Sequence, residues 1–306
     1  MSAQRAISTR EVPRVLSIAG TDPTGGAGLH ADLKTIAVLG GYGMGVITAV
    51  VAQNTTGVRA IHTPPPEMLR AQLEAVSDDV VIDAVKLGML GDEATVRTVQ
   101  DWLGAHRPPM VVIDPVMVAT AGGSLLQTSA LPAITELLGA ADLVTPNLPE
   151  LAALLGGAPP ARSWPAALEQ GRELARRLGT AVLVKGGHLP GDRTPDALLA
   201  PGLREPVLEL DDRRVPTSCS HGTGCSLSSA IAVLAARTGS WGTAVLQARR
   251  WLRGALAHAQ ELEVGRGSGP VHHGFHLGPA LTGLRAATAD PQSPRPQVAD
   301  PPDDEA

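Results

Sequence analysis

A chain of 306 residues with 43% apolar content can bury a large core, as one α/β domain or two smaller ones. Aromatic residues are reduced to Tyr42, Trp102, Trp164, Trp241, Trp251 and Phe275, and no basic groove accompanies them, which argues against a stacking platform for nucleic acid. The net charge of −5 is concentrated in residues 290–306, where Asp290, Asp300, Asp303, Asp304 and Glu305 stand against Arg295, so it describes a tail rather than a partner.

Apolar β-rich runs alternate with helical patterns along most of the chain. RVLSIAG (14–20) predicts a buried strand, followed by a Gly-rich turn and a helix over LHADLKTIAVLG. VITAVVA (46–52) and VRAIHT (58–63) are the next strands, then a helix from about Pro66 to Val76. VIDAVKLG (81–88), MVVIDPV (110–116), ADLVTPN (141–147) and TAVLVKGG (180–187) are further strands with helical stretches between them. Two long helices, 222–237 and 243–262, close the pattern, the second with Val245, Ala248, Leu252, Ala255, Ala259 and Leu262 at helical spacing. Strands apolar on both faces, alternating with helices, imply an α/β fold with a mainly parallel central sheet and helices on both faces. The expected organisation is a polar arm over 1–13, one domain over 14–278, and a Pro/Asp-rich tail over 279–306 that lacks the apolar content to fold.

Cys219 and Cys225 are the two cysteines, and a chain of this size needs no bridge between them. The N-terminal MSAQRAISTREVPR has no apolar h-region, and no run approaches the roughly eighteen apolar residues of a membrane span. A reducing, cytoplasmic location with no membrane partner is the expectation.

In open α/β sheets ligands bind beyond the carboxyl ends of the strands, where GTDPTGGAG, LGML, DPVM, TPNLPE and KGGH all fall. Gly26-Ala27-Gly28-Leu29-His30-Ala31 fits a dinucleotide fingerprint, yet VITAVVAQN carries no carboxylate at the end of the following strand, and a tight strand-to-helix turn accounts for it equally well. Gly222-Thr223-Gly224 running into a helix presents unpaired N–H groups to an anion, and the same field would lower the thiol of Cys225 toward thiolate; the plain reading makes Cys225 a small packed residue. Lys185 at a strand end either reaches a phosphate or is simply solvated. Asn147 and Glu150 have the spacing of a capping box, or else Glu150 steers a hydrated Mg²⁺; Asp114 is either a turn-former or an acid in the metal shell. The adjacent His272 and His273 point in different directions and read as structural, and Cys219 reads as packing.

The segments SIAGTDPTGGAGLHADLKT, YGMGVITAVVAQNT, KLGML, DPVM, TPNLPE, KGGH, SHGTGC and EVGRGSGPVHH, in this order over about residues 14–276, resemble the hydroxymethylpyrimidine/phosphomethylpyrimidine kinases of thiamine biosynthesis. The resemblance implies a ribokinase-like fold and a MgATP-dependent enzyme. It would phosphorylate 4-amino-5-hydroxymethyl-2-methylpyrimidine and then its monophosphate. It further implies that Gln53 recognises the aminopyrimidine, with Gly20, Asp32 and Val116 lining the substrate and Met89 covering the ring. A carboxamide suits that task, because it accepts from an exocyclic amine and donates to the neighbouring ring nitrogen. Gly222, Thr223, Gly224 and the amide of Cys225 would receive the transferred phosphoryl group. Lys185 would offset its charge, Asn147, Lys185 and Thr223 would meet the nucleotide, and Asp114 with Glu150 would organise Mg²⁺. Cys225 would accept the hydroxymethyl proton, PVMVATAGGSLL would form a flap over the site, and a homodimer is an assembly to test for. Rival readings are a pyridoxal or pyridoxamine kinase on the same fold, a non-catalytic sensor of the same precursor, and, last, a dinucleotide-binding protein.

Overall fold

The computed structural model describes residues 10–118, 123 and 125–278; most of the expected N-terminal arm, much of the flap and the whole tail from 279 lie outside them. The chain divides into two compact units, Met1–His273 and Gly274–Ala306, and the described part of the second carries a 3-10 turn over Phe275–Leu277.

In the first unit, β1 (Arg14–Ala19) leads into α1 (Gly28–Val38), and β2 (Tyr42–Ile47) returns parallel to β1 with Ile18 opposite Val46. A hairpin of β3 (Val50–Asn54) and β4 (Gly57–His62) follows. The chain then runs through α2 (Pro66–Ser77), β5 (Ala84–Leu87), α3 (Glu93–His106), β6 (Val111–Ile113), α4 (Leu131–Leu138), β7 (Leu143–Val144) and α5 (Leu148–Leu154). It ends in α6 (Trp164–Leu178), β8 (Ala181–Lys185), β9 (Arg193–Leu199), β10 (Leu208–Arg213), α7 (Thr223–Thr238) and α8 (Trp241–Ala257). One eight-stranded sheet has the order β10-β9-β8-β7-β6-β5-β1-β2, parallel from β2 to β8 and antiparallel at β9 and β10.

Three expectations are corrected. The apolar run 46–52 is two strands in two sheets: Thr48 breaks it, its N–H donating to the Ala19 carbonyl and its hydroxyl to the Met89 carbonyl at 2.6 Å. An uninterrupted apolar run carries no periodic signal of such a break. β4 likewise pairs only with β3, antiparallel, outside the main sheet. The helix expected over 243–262 ends at Ala257, and Ala259–Leu262 forms a separate 3-10 turn. β9 and β10 had no sequence expectation; Pro195 inside β9 disguises it, and an antiparallel strand near a sheet edge tolerates that proline.

Side chains of α2 to α6, among them Leu73, Val99, Ile134, Leu151 and Leu174, form one core with the sheet. α1, α7 and α8 pack together, and α7 also lies against β1, β5 and β6. Every residue of α7 from Ser226 to Ala236 is buried, so the helix has no solvent face, and its small side chains allow close approach from all sides. Its buried serines are all satisfied. Ser226 pairs with Nε2 of His273 at 3.0 Å, Ser228 donates to the Gly224 carbonyl, and Ser229 donates to Asp32 at 2.7 Å.

His273 is buried, and burial, helped by Lys34 and His272, holds its imidazole down at about 4. The unfolded chain protonates this histidine near 6.5, so between those values the unfolded state binds the extra proton and stability falls with pH. The contribution is present above about pH 6.5 and lost on the way to about pH 4, at most on the order of 3 kcal/mol. A melting series from pH 7 to pH 4 is expected to decline more steeply for the native chain than for His273→Gln; equal slopes would remove His273 as the cause.

Candidate active site

A cleft of about 870 Å³ opens at the carboxyl ends of the parallel strands. Gly20 follows β1, Met89 follows β5, Asp114 and Val116 follow β6, Asn147 follows β7, and Lys185 ends β8; all of them line it. The switch from strand to helix at these ends is what gathers residues so distant in sequence.

One wall is apolar. Ala49, Val51 and Met89 form a small buried cluster, with Val58, Val116 and Leu125 against it. Gly20 lies under Met89, since a Cβ there would sit 3.0 Å from the sulfur. Gln53 stands at the end of this wall, where a bulge between Ala52 and Gln53 shifts the β3–β4 register and re-aims its side chain. Its carboxamide makes no hydrogen bond among the described residues.

The opposite wall is the start of α7. Gly222 has a left-handed φ of 75°, and a Cβ on it would fall onto the carbonyl oxygen of Gly26, so only glycine fits. Gly28 is held the same way against the Gly20 carbonyl, with φ 54°. The dinucleotide-like pattern is therefore the tight turn that opens α1. The amides of Gly224 and Cys225 belong to the first helical turn, which leaves its N–H groups without intrahelical partners. The Thr223 amide leans on the Ser220 carbonyl over a long 3.4 Å. Gly224 faces the charged groups: a Cβ there would lie 3.2 Å from Oδ2 of Asp114 and 3.4 Å from Nζ of Lys185.

The expectation of a thiolate at Cys225 is corrected. The side chain is half-buried, and that burial pushes the thiol up to about 11. Lys86 and the Gly28 amide pull it down only in part, while Asp32 and Asp114 add to the rise. Desolvation outweighs the helix-end field.

Asp32 is corrected as well. It is fully buried and does not line the cleft. Its carboxylate lies 2.7 Å from Nζ of the equally buried Lys86 and accepts from Ser17 at 2.6 Å and Ser229 at 2.7 Å. Burial pulls the Lys86 ammonium down, but Asp32 more than offsets it, so Lys86 stays charged. The pair lies beneath the cleft, behind Cys225.

Asp114 accepts from Thr145 at 3.0 Å and from Lys185 at 3.1 Å. Burial acts to lower the Lys185 ammonium, and Asp114 and Glu150 reverse the effect and raise it. Asn147 and Glu150 form a complete capping box at the start of α5, so the capping reading holds, and both residues also line the cleft. Burial raises the Glu150 carboxyl to about 7; Lys185 and the Asn147 and Met117 amides pull against it, and Asp114 adds to it.

Several residues here carried no sequence signal. Asp22 and His221 meet at 2.8 Å across the two glycine turns. Thr194, Asp196, Arg249 and Arg253 also line the cleft, with the Arg249 guanidinium 2.7 Å from the Asp196 carboxylate. They sit on β9 and α8, and nothing in the local sequence places β9 beside the cleft. His272 and His273 take structural positions, through the Ala255 carbonyl and Ser226 respectively.

Comparison with known proteins places this geometry. The family model of phosphomethylpyrimidine kinase matches residues 22–272. The hydroxymethylpyrimidine/phosphomethylpyrimidine kinase of Salmonella typhimurium is 50% identical over 262 residues, covering 85% of this chain and 97% of that protein. The thiamine biosynthesis multifunctional protein ThiED of Corynebacterium efficiens is 54% identical over 279 residues; they are 91% of this chain and 37% of that longer protein. Among solved structures, an ADP complex of Bacillus subtilis pyridoxal kinase superposes with a TM-score of 0.78 at 29% identity, covering 87% of this chain and 98% of that one, which fixes the ribokinase-like architecture. With the sheet, the paired glycine turns and a match across most of its length in agreement, the chain belongs to the phosphomethylpyrimidine kinase family.

Proposed function

We propose that this chain transfers the γ-phosphoryl group of MgATP to the hydroxymethyl oxygen of 4-amino-5-hydroxymethyl-2-methylpyrimidine, and then to the resulting monophosphate; the Salmonella relative is named a hydroxymethylpyrimidine/phosphomethylpyrimidine kinase. The observation that carries the reading is one cleft with an apolar, carboxamide-ended wall facing a helix-start turn, and Asp114, Glu150 and Lys185 between them.

Phosphoryl transfer passes through a loose transition state, so placement and charge compensation dominate its catalysis. Met89, Val51 and Val116 sandwich the heterocycle, and Gln53 pairs with its amine and ring nitrogen. The amides at the start of α7 receive the migrating oxygens, and Lys185, held by Asp114, supplies a fixed positive charge. Two carboxylates and no larger cluster suit Mg²⁺, which takes most of its oxygens from phosphates and water; among the described residues no group of three or more His, Cys, Asp or Glu forms a metal site. Asp114 and Glu150 would hold such an ion, and when bound it neutralises phosphate charge. Because its thiol stays neutral at pH 7, Cys225 orients the acceptor hydroxyl instead of serving as a ready-made base. A pyridoxal kinase reading draws on the superposition with the Bacillus subtilis enzyme. Gln53 favours the aminopyrimidine, whose amine and ring nitrogen match a carboxamide.

Mass detection with MgATP is expected to show the pyrimidine gaining one and then two phosphoryl groups, and faster turnover of pyridoxal in a parallel assay would overturn the choice of ring. Gln53→Leu is expected to weaken pyrimidine binding by roughly 1–3 kcal/mol and leave the KM for ATP unchanged. An unaltered pyrimidine affinity would remove Gln53 from the site. Cys225→Ala is expected to lower kcat about 100-fold through misplacement of the acceptor, with Cys225→Ser keeping most of the activity. Equal losses in both variants would restore the thiol as the base.

A further inference from the structure

Asp22 is fully buried and its carboxylate is saturated by donors from two parts of the chain. Oδ1 accepts from the Thr24 amide at 3.0 Å and the Thr24 hydroxyl at 2.8 Å. Oδ2 accepts from the Gly26 amide at 3.2 Å, the Ala27 amide at 2.8 Å and the His221 ring at 2.8 Å. Burial acts to raise the Asp22 carboxyl, but the His221 and Thr24 hydrogen bonds more than reverse it, so the group is an anion. An anionic carboxylate has no proton to give, so the proton in the contact belongs to Nε2 of His221. That fixes the tautomer and makes this a charge-assisted bond in a dry setting, since His221 is 4% exposed.

The position of this bond gives it meaning. His221 immediately precedes Gly222, the residue wedged on the Gly26 carbonyl, and its own amide donates to the Gly269 carbonyl at 3.0 Å. Ser220 is tied to Ser268 at 3.2 Å. The turn carrying the phosphoryl-binding amides is thus clamped on one side by the Ser268 hydroxyl and the Gly269 carbonyl. On the other side the clamp is one imidazole reaching the carboxylate that shapes the start of α1. Asp22 does not line the cleft and its oxygens are taken, and the Nε2 proton of His221 is spent on them.

We infer that Asp22 and His221 are positioning residues, a latch that sets the distance between the turn gripping the phosphoryl group and the turn beside the acceptor. This rests on the reading of the cleft as a kinase site. In a reaction governed by in-line placement, loosening this latch reduces turnover while both substrates still find their pockets.

The test compares His221→Leu, which cannot donate, with His221→Gln, whose amide N–H has the reach of Nε2. In the native sequence background, His221→Leu is expected to lower kcat about 10–100-fold, with each KM within about threefold, and His221→Gln to regain most of the loss. Hydrogen exchange gives a readout independent of turnover. The peptide spanning Ser220–Leu227 loses protection in His221→Leu and regains it in His221→Gln, while peptides of α8 stay unchanged. If His221→Leu does not fold, Asp22→Asn, which trades one acceptor for a donor against the Gly26 and Ala27 amides, carries the same expectations. A kcat within twofold of native in folded His221→Leu, or equal losses in the Leu and Gln variants, overturns the inference. A native chain that makes no phosphorylated product overturns the kinase reading instead, and the exchange data then decide the latch by themselves.

Discussion

The site depends on two turns pressed together backbone to backbone. Gly222 lies on the Gly26 carbonyl and Gly28 on the Gly20 carbonyl, closer than any side chain allows. Because both turns open helices, the pressing brings the N-terminal ends of α1 and α7 to one place, with the positive ends of their dipoles. Two such ends repel each other unless an anion lies between them. Within the protein that anion is Asp22, on the side away from the cleft; on the cleft side, the proposed function puts phosphate there.

Buried charge is distributed by the same logic. Lys86 and Asp32 are both fully enclosed, and each removes the reason the other would be costly; Ser17 and Ser229 take up the remaining carboxylate lone pairs. Loss of one partner alone would leave an uncompensated charge in the centre of the molecule. The pair also sets the environment of Cys225. A cation nearby favours thiolate, the carboxylate beside it opposes that, and burial decides the balance for the neutral thiol. In the proposed function the cysteine therefore does its work by where it points.

The parallel frame was legible because its strands are short apolar runs bounded by Gly, Pro and Asn, and the carboxyl-end rule then located Gly20, Met89, Asp114 and Lys185 without knowledge of packing, while the helix-start turn pointed to Gly224. Three things were not legible. Thr48 divides a run whose hydrophobicity never falters, through two hydrogen bonds to segments 29 and 41 residues away. Asp32 sits in a segment that resembles a substrate-lining one, yet its direction is set by Lys86, a residue that reads as one more polar interruption in a strand. The helix end alone predicts a lowered thiol at Cys225, whereas its state follows from burial and from charges on α1 and β5 that only the tertiary structure brings near. Local pattern reports which residues face a cleft; it does not report what lies behind them.

In the proposed function the arrangement also separates transfer from ring choice. Asp114, Glu150, Lys185 and the α7 turn hang from the eight-stranded sheet, and a pyridoxal kinase with 29% identity superposes on that frame at a TM-score of 0.78. Gln53 and Val51 hang from a two-stranded hairpin outside the sheet, a unit too small to be stable by itself. It is held by a few identifiable ties: the Val51 amide donates to the Thr21 hydroxyl at 2.9 Å, the Gly267 amide donates to the Thr55 hydroxyl at 3.2 Å, and Gly265 and Gly267 press on Thr55. Thr21 belongs to the loop after β1, and Gly267 to the segment that also clamps Ser220 and His221. In the proposed function, the heterocycle and the phosphoryl group are therefore measured from the same two anchors. A change of ring needs new residues on the hairpin, while a change of in-line distance needs movement of the anchors themselves. Substitutions on the hairpin face then fall on substrate choice, and substitutions at its ties fall on turnover, because only the ties are shared with the α7 turn.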